Sequence, residues 1–283
     1  MIQIQSLGGI GLQGPDGTPI RLRSRKHVGL LLYLAMSGRR MFTRDHLTSL
    51  FWTSAPERAR HSLSQAAYDL RSHLQGALVR GSGDQLALDS RNLEFDAVEF
   101  ESAVKEGRLG HAIDLYRGPF AQNLSGAGTA EFDRWIETER FRIGRLAEVT
   151  FRRFAGECES KGRWGEMCVA ALRLTDMTPL DEEAHLCLMR GLWLHGDPTA
   201  ALKHYESAIA SLRRELPSGR SDRLTDLADR IRSAPSANPV ELRSSERETP
   251  FLGRDAEFET LRSAVRDMGR TRTTSVLIAG EAG

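Results

Sequence analysis

The strongest constraint on this chain is a signature that recurs in its second half. Gly107 is followed by Ala112-Ile113 and Tyr116, and Gly196 is followed at the same spacing by Ala201-Leu202 and Tyr205. Gly162 stands 34 residues before Gly196. A glycine that ends one helix, an alanine that lets the next approach closely and an aromatic one turn later describe a helix pair that buries its apolar face only by stacking on a neighbour. Residues 98–232 carry helical periodicity throughout. Phe132, Trp135-Ile136, Ile143, Leu146, Phe151 and Phe154 mark a long amphipathic helix leading into the array, and Asp197-Pro198 is a strong helix start.

The period and the place of Pro179 predict a tetratricopeptide-like array. An ordinary helical bundle with coincidental spacing is the alternative, because only Gly, Ala and Tyr positions recur. The cysteines (Cys158, Cys168, Cys187) form no C-x-x-C pair, which argues against a disulfide scaffold or a Cys-rich zinc site. His185, Cys187, His195 and His204 lack the short spacing of a metal-ligand pair and are assigned to helix packing, so no metal site is expected.

The first hundred residues follow a different rhythm. Ile2, Ile4 and Leu7 alternate, then Ile10 and Leu12, and after a Pro15-Asp16-Gly17 turn Ile20 and Leu22, which reads as three short strands. Gly9-Ile10-Gly11-Leu12-Gln13-Gly14 matches the dinucleotide fingerprint literally. The turn at Pro15 stands where a phosphate-binding helix would have to open, so that reading is rejected. Val28, Leu31, Leu32 and Leu34-Ala35 then form a helical stripe ended by Ser37-Gly38. A second helix begins at Thr43, and a third runs from Glu57 to Leu74. Leu78-Val79-Arg80 and Leu86-Ala87-Leu88 flank a Gly-rich turn, the pattern of a hairpin. Strands, three helices and a terminal hairpin are the layout of a winged helix-turn-helix.

Charge is distributed unevenly. The first 80 residues carry eleven Lys and Arg against four acids, a surplus of seven, which leaves the remainder at minus six within a net +1. A basic head on an acidic body points to a polyanionic partner. At 40% hydrophobic residues the chain is not a disordered one, and no apolar run is long enough to span a bilayer. The N-terminus lacks the layout of a signal peptide, so a cytoplasmic protein with reduced thiols is expected.

With Leu63, Ala67, Leu70 and Leu74 inward, the third helix turns Arg58, His61, Gln65, Tyr68 and Ser72 outward, with Ser64, Arg60 and Arg71 on its flanks. Arg58, His61, Ser64, Gln65, Tyr68 and Ser72 are the candidates for touching bases, since Gln suits adenine and Arg suits guanine. Arg60 and Arg71 suit phosphates, Arg80 and Ser82 sit at the tip of the wing, and Thr43 with Arg44 could hold a further phosphate at the start of the second helix. Asp69 is read as lying on the outer side, which favours a plain solvated face.

These residues carry a family resemblance. Residues 1–100 resemble the OmpR-like winged-helix domain of Streptomyces-type antibiotic regulatory proteins. The resemblance rests on Leu7-Gly8-Gly9, Arg25-Lys26, Leu30-Leu31-Leu32-Tyr33-Leu34-Ala35, Thr43-Arg44-Asp45-His46-Leu47, Phe51-Trp52, Ala59-Arg60-His61-Ser62-Leu63 and Leu70-Arg71. Residues 98–232 resemble the bacterial transcriptional activator domain that follows it, through Tyr116-Arg117-Gly118-Pro119-Phe120, Phe132-Asp133-Arg134-Trp135, Glu139-Arg140, Leu188-Met189-Arg190, Gly196-Asp197, Ala201-Leu202-Lys203-His204-Tyr205 and Leu212-Arg213-Arg214-Glu215-Leu216. The resemblance implies that Trp52 contacts the DNA backbone.

Residues 233–250 read as a linker. From Phe251-Leu252-Gly253-Arg254-Asp255 to Val276-Leu277-Ile278-Ala279-Gly280-Glu281-Ala282-Gly283 the tail is similar to the entry of a signal-transduction (STAND/AAA-type) ATPase domain. Gly280 and Gly283 supply only the first half of a nucleotide-binding Walker A loop, so this chain is expected to be no enzyme and to hold no cofactor. ATP and Mg²⁺ enter only if a longer protein continues past Gly283.

The expected architecture is mainly α with a small β part. A winged helix at 1–97 is followed by a tetratricopeptide-like domain at 98–232, the linker, and a truncated P-loop piece at 251–283. The expected function is that of a sequence-specific transcriptional activator on double-stranded promoter DNA, bound as a homodimer and with no membrane; the resemblance implies that the helical domain serves self-association or contact with RNA polymerase. The rival is a protein-interaction scaffold whose winged domain does not bind DNA.

Overall fold

Ser24 opens the first helix, its hydroxyl accepting from the His27 amide at 3.3 Å, and α1 runs Arg25–Met36. Thr43 caps α2, Arg44–Phe51, in the same way through His46. After the turn at Trp52, α3 spans Pro56–His73 with proline in its first turn, where a missing N–H costs nothing. The computed structural model describes residues 1–38, 40–74, 78–80, 84–89, 91, 93–215 and 221–234, with the side chains of 78–80 left aside. Most of the expected linker and the whole phosphate-loop piece, including Gly280 and Gly283, lie outside the described residues, as does Ser82.

Two small sheets flank these helices. One has the order β2-β1-β6, in which β1 (Ile2–Gln5) pairs antiparallel with β2 (Gly11–Gln13) and parallel with β6 (Leu93–Phe95). The other has the order β3-β5-β4, from Phe42–Thr43, Gln85–Leu88 and Leu78–Arg80. It contains the expected hairpin and adds β3, registered Phe42 to Leu86. The strand expected at Ile20 and Leu22 does not form. The chain turns back through Gly14 N–H to Thr18 O (2.8 Å), Gln13 makes a single bridge to Pro19, and Ile20 N–H reaches Leu12 O at 2.9 Å. Pro19 has no N–H to extend the ladder. Because Gly11–Gln13 is a strand, no helix opens at the glycine-rich stretch.

Among the described residues seven further helices form the body: α4 Asp96–Lys105, α5 Leu109–Leu115, α6 Ala130–Ser160, α7 Trp164–Met177, α8 Glu182–Leu194, α9 Pro198–Glu215 and α10 Asp222–Ser233. The three repeat glycines do one job. Gly107, Gly162 and Gly196 all have positive φ. After each, the next residue's amide reaches back five residues, Arg108 to Ala103 O (2.8 Å), Arg163 to Cys158 O (2.9 Å) and Asp197 to Leu192 O (2.9 Å). This is the Schellman closure that satisfies a helix's last carbonyls. Alternate helices are stitched by ion pairs, Arg142 to Glu101, Arg152 to Asp181, Arg190 to Glu159 and Arg223 to Glu183.

Head and body meet in a closely fitted seam. The Asp96 carboxylate accepts from the amides of Ser6 and Leu7 (2.8 and 2.9 Å) and from the Ser6 hydroxyl (2.7 Å). Ala121 N–H donates to Ser6 O (2.7 Å) and Gly8 N–H to Pro119 O (3.1 Å). A Cβ on Gly8, which sits at φ +88°, would lie 2.7 Å from the Arg117 carbonyl carbon, and one on Gly118 would lie 2.9 Å from the Gly8 Cα. On the other side, the start of α6 packs on α1 and α2. Phe132 stacks near Phe51 (centroids 4.6 Å apart) and Trp135 meets Tyr33 edge-on at 4.9 Å. Gly29 leaves room for the Phe132 ring. One apolar core runs from β1 to the start of α8, with a second between α8, α9 and α10. The first turn of α4, where the expected domain boundary at 97 falls, is therefore inside a continuous structure.

Buried His185 and half-buried His204 form a pair. His185 Nε2 donates to Pro179 O (2.9 Å), so its Nδ1 accepts from His204 Nε2 at 3.0 Å. Burial and the neighbouring imidazole push His204 down to about 4.

Two outcomes follow. Gly8→Ala should lower unfolding free energy by about 2 kcal/mol or more, from backbone overlap and an unfavourable φ; a urea midpoint within error of wild type contradicts the seam. For His204, the unfolded chain takes up a proton near pH 6.5 and the folded one only near 4. Its contribution is full above pH 6.5 and falls as pH drops toward 4, about 2 kcal/mol lost between pH 7.5 and 5. His204→Gln should flatten that part of the stability–pH curve, and an unchanged slope refutes the assignment.

Candidate nucleic-acid interface

α3 is amphipathic with its apolar side fully committed. Ala59, Leu63, Ala66, Ala67 and Leu70 are buried, with Leu74 just beyond the helix end. Arg58, His61, Ser64, Gln65, Tyr68 and Ser72 are all exposed, Tyr68 to 68%. Residues 58, 61, 65, 68 and 72 recur every three or four positions and so form one stripe along the outer side. No described part of the body covers it.

The flanks are more engaged than the sequence suggested. Arg60 donates to Asp45 on α2 at 2.8 Å. Arg44 pairs with Asp84 at 3.0 Å and donates to the Ser64 hydroxyl at 3.2 Å, tying α2, α3 and the start of β5 together. Its guanidinium is used inside the protein, while Thr43 uses its hydroxyl as the α2 cap. Trp52 is half-buried at the turn before α3. The Lys26 ammonium lies 5.7 Å from its ring centroid and donates to Phe51 O at 2.7 Å. In the sequence Lys26 was quoted only within the Arg25-Lys26 pair of the family resemblance, with no site role given to it. Arg71 is half-buried. Arg80 lies on β4, with its side chain outside the described residues.

Asp69 corrects the sequence reading. It is not on the outer side but 2% exposed, on the flank of α3 that meets the start of α1. Its carboxylate accepts from His27 Nδ1 (2.6 Å) and from the Arg23 amide (3.3 Å), and His73 stands one turn along at 3.5 Å. Burial alone would raise this carboxyl, but the hydrogen bonds from His27 and the Arg23 amide outweigh it and hold it below the ordinary carboxylate range. The one acid that argued against a nucleic-acid face is thus removed from it and orients the helix instead.

The family model of the bacterial transcriptional activator domain matches residues 88–232. The chain belongs to this family. The matched region of this activator-domain protein begins at the end of β5 and closes in α10, so it takes in the whole helical body. In fold the chain is similar to Mycobacterium tuberculosis EmbR, solved in complex with a low affinity phosphopeptide, with a TM-score of 0.56 at 20% identity over 95% of this chain and 71% of that one. That likeness covers the winged-helix head as well as the array. Among curated proteins no sequence matches. No helix among the described residues is long and apolar enough to cross a membrane.

Asp69→Ala should leave the His27 and Arg23 N–H groups without an acceptor and cost roughly 2–4 kcal/mol. Because the folded carboxyl titrates below its unfolded value, the gap between wild type and variant should be constant above about pH 5 and close as pH falls below about 4. Equal stabilities at pH 7 in a urea titration would contradict this role.

Proposed function

We propose that this chain is a sequence-specific DNA-binding transcription activator. In this reading α3 lies in the major groove of promoter DNA, with Arg58, His61, Ser64, Gln65, Tyr68 and Ser72 toward base edges, and the β4–β5 wing beside it. The observation that carries the reading is the outer stripe of α3, polar, complete and uncovered, in a basic helix-turn-helix head joined to an activator domain. In the same reading Trp52, at the turn between α2 and α3, meets a phosphate through its indole N–H, which has no acceptor among the described residues. Arg60 reaches phosphate by exchanging Asp45 for it. The activator-domain family supports contact between the helical body and RNA polymerase; the same reading has the chain bind as a homodimer on paired half-sites. A cytoplasmic address goes with that role.

The test is fluorescence anisotropy of the whole chain on labelled duplexes across a salt series; the head alone is unsuitable, because Asp96 and α6 complete its packing. Gln65→Ala or Tyr68→Ala should weaken binding to a preferred duplex by roughly 1–3 kcal/mol and leave mixed-sequence binding little changed. Arg60→Ala should weaken all duplexes and reduce the salt slope by about one. Asp45→Ala, which frees Arg60, should strengthen binding to every duplex at low salt. Absence of salt-dependent binding by the wild-type chain would favour the rival reading, an array that binds a protein partner beside an inert head.

A further inference from the structure

The outer stripe of α3 changes chemistry along its length. Arg58, in the first turn, is exposed and makes no ion pair with a described residue, whereas Arg60 is engaged by Asp45 and Arg44 by Asp84. One turn further on, His61 and Gln65 face each other four residues apart, with their Nε2 atoms 3.0 Å from one another. An amide nitrogen only donates, so Gln65 donates and the imidazole Nε2 accepts, which places the ring proton on Nδ1.

What matters is what remains free on Gln65. One amide N–H is used by His61, leaving the second N–H and Oε1 side by side and exposed. That donor–acceptor pair is the complement of adenine in the major groove, whose N7 accepts and whose N6 amino group donates. Turning the amide over would set Oε1 against the same ring nitrogen and require the imidazole proton to move from Nδ1 to Nε2. His61 thereby holds the amide of Gln65 in place before any ligand arrives, and part of the ordering cost is met in the free protein.

Spacing adds a second element. Arg58 and Gln65 lie seven positions apart on the helix, about 10 Å along the axis, or about three steps of a duplex. Arginine is the side chain suited to the O6/N7 pair of guanine. Building on the DNA-binding reading, we infer that α3 recognises a half-site in which a guanine met by Arg58 and an adenine met by Gln65 lie about three base pairs apart. His61 is the positioning residue that fixes Gln65 for adenine.

The experiment is site selection by the full chain from duplexes with a randomised central segment, at low salt, with wild type, Arg58→Ala, Gln65→Ala, His61→Phe and His61→Glu. The wild-type motif should contain the guanine and adenine at that spacing. Arg58→Ala should flatten the guanine position alone. Gln65→Ala and His61→Phe should each lower adenine preference about fivefold or more. His61→Glu, an acceptor only, should weaken overall binding yet keep adenine preferred, which a merely structural histidine would not produce. Adenine preference that survives His61→Phe, or a motif lacking the pair, overturns the inference while leaving DNA binding intact. If the wild type selects no motif, the DNA-binding reading falls and takes this one with it.

Discussion

Gly8 and Gly118, one from the head and one from the body, let two stretches of backbone touch where any side chain would hold them apart. Around that contact Ser6, Gly8, Pro119 and Ala121 exchange main-chain hydrogen bonds, and Asp96 gathers the amides of Ser6 and Leu7. Arg140 on α6 donates to Phe120 O at 2.9 Å and fastens the same loop to the long helix. The two segments that carry much of the family resemblance, Leu7-Gly8-Gly9 and Tyr116-Arg117-Gly118-Pro119-Phe120, are therefore the two sides of one joint.

That joint gives the head a fixed seat. With the sheet held at one end and Phe132 and Trp135 packed on α1 and α2 at the other, the direction in which α3 faces is set by the body. Asp69 refines it from the remaining side, fastening α3 to the start of α1. A head seated in this way has little freedom to swivel against the body, because the two are joined through packed aromatic rings and main-chain hydrogen bonds rather than through a loose tether.

Much of this was legible in the sequence, for identifiable reasons. Helix limits followed from Thr43, Asp197-Pro198 and the repeat glycines, all short-range signals. The outer stripe of α3 followed from periodicity, because a fully apolar opposite side leaves only one way to turn the helix. The misreadings have tertiary causes. Asp69 lies on a flank between core and solvent, and whether a flank is covered depends on where α1 begins in space. The ion pairs of Arg44 with Asp84 and of Arg60 with Asp45 went unread because the partners sit 40 and 15 positions away. The parallel pairing of β1 with β6 spans the whole head, a separation at which no local pattern speaks. Ile20 and Leu22 alternated like a strand, but Pro19 denied them a ladder.

The central claim is that the outer side of α3 contacts the bases of a duplex. The most direct measurement is photo-crosslinking from benzoylphenylalanine placed at Tyr68, compared with the same group at Phe141, which is 73% exposed on α6. Both report through a radiolabelled duplex at low salt. The account predicts covalent adducts to duplex bases from position 68 and none above background from position 141. Silence at 68, or equal labelling from the two positions, would contradict it.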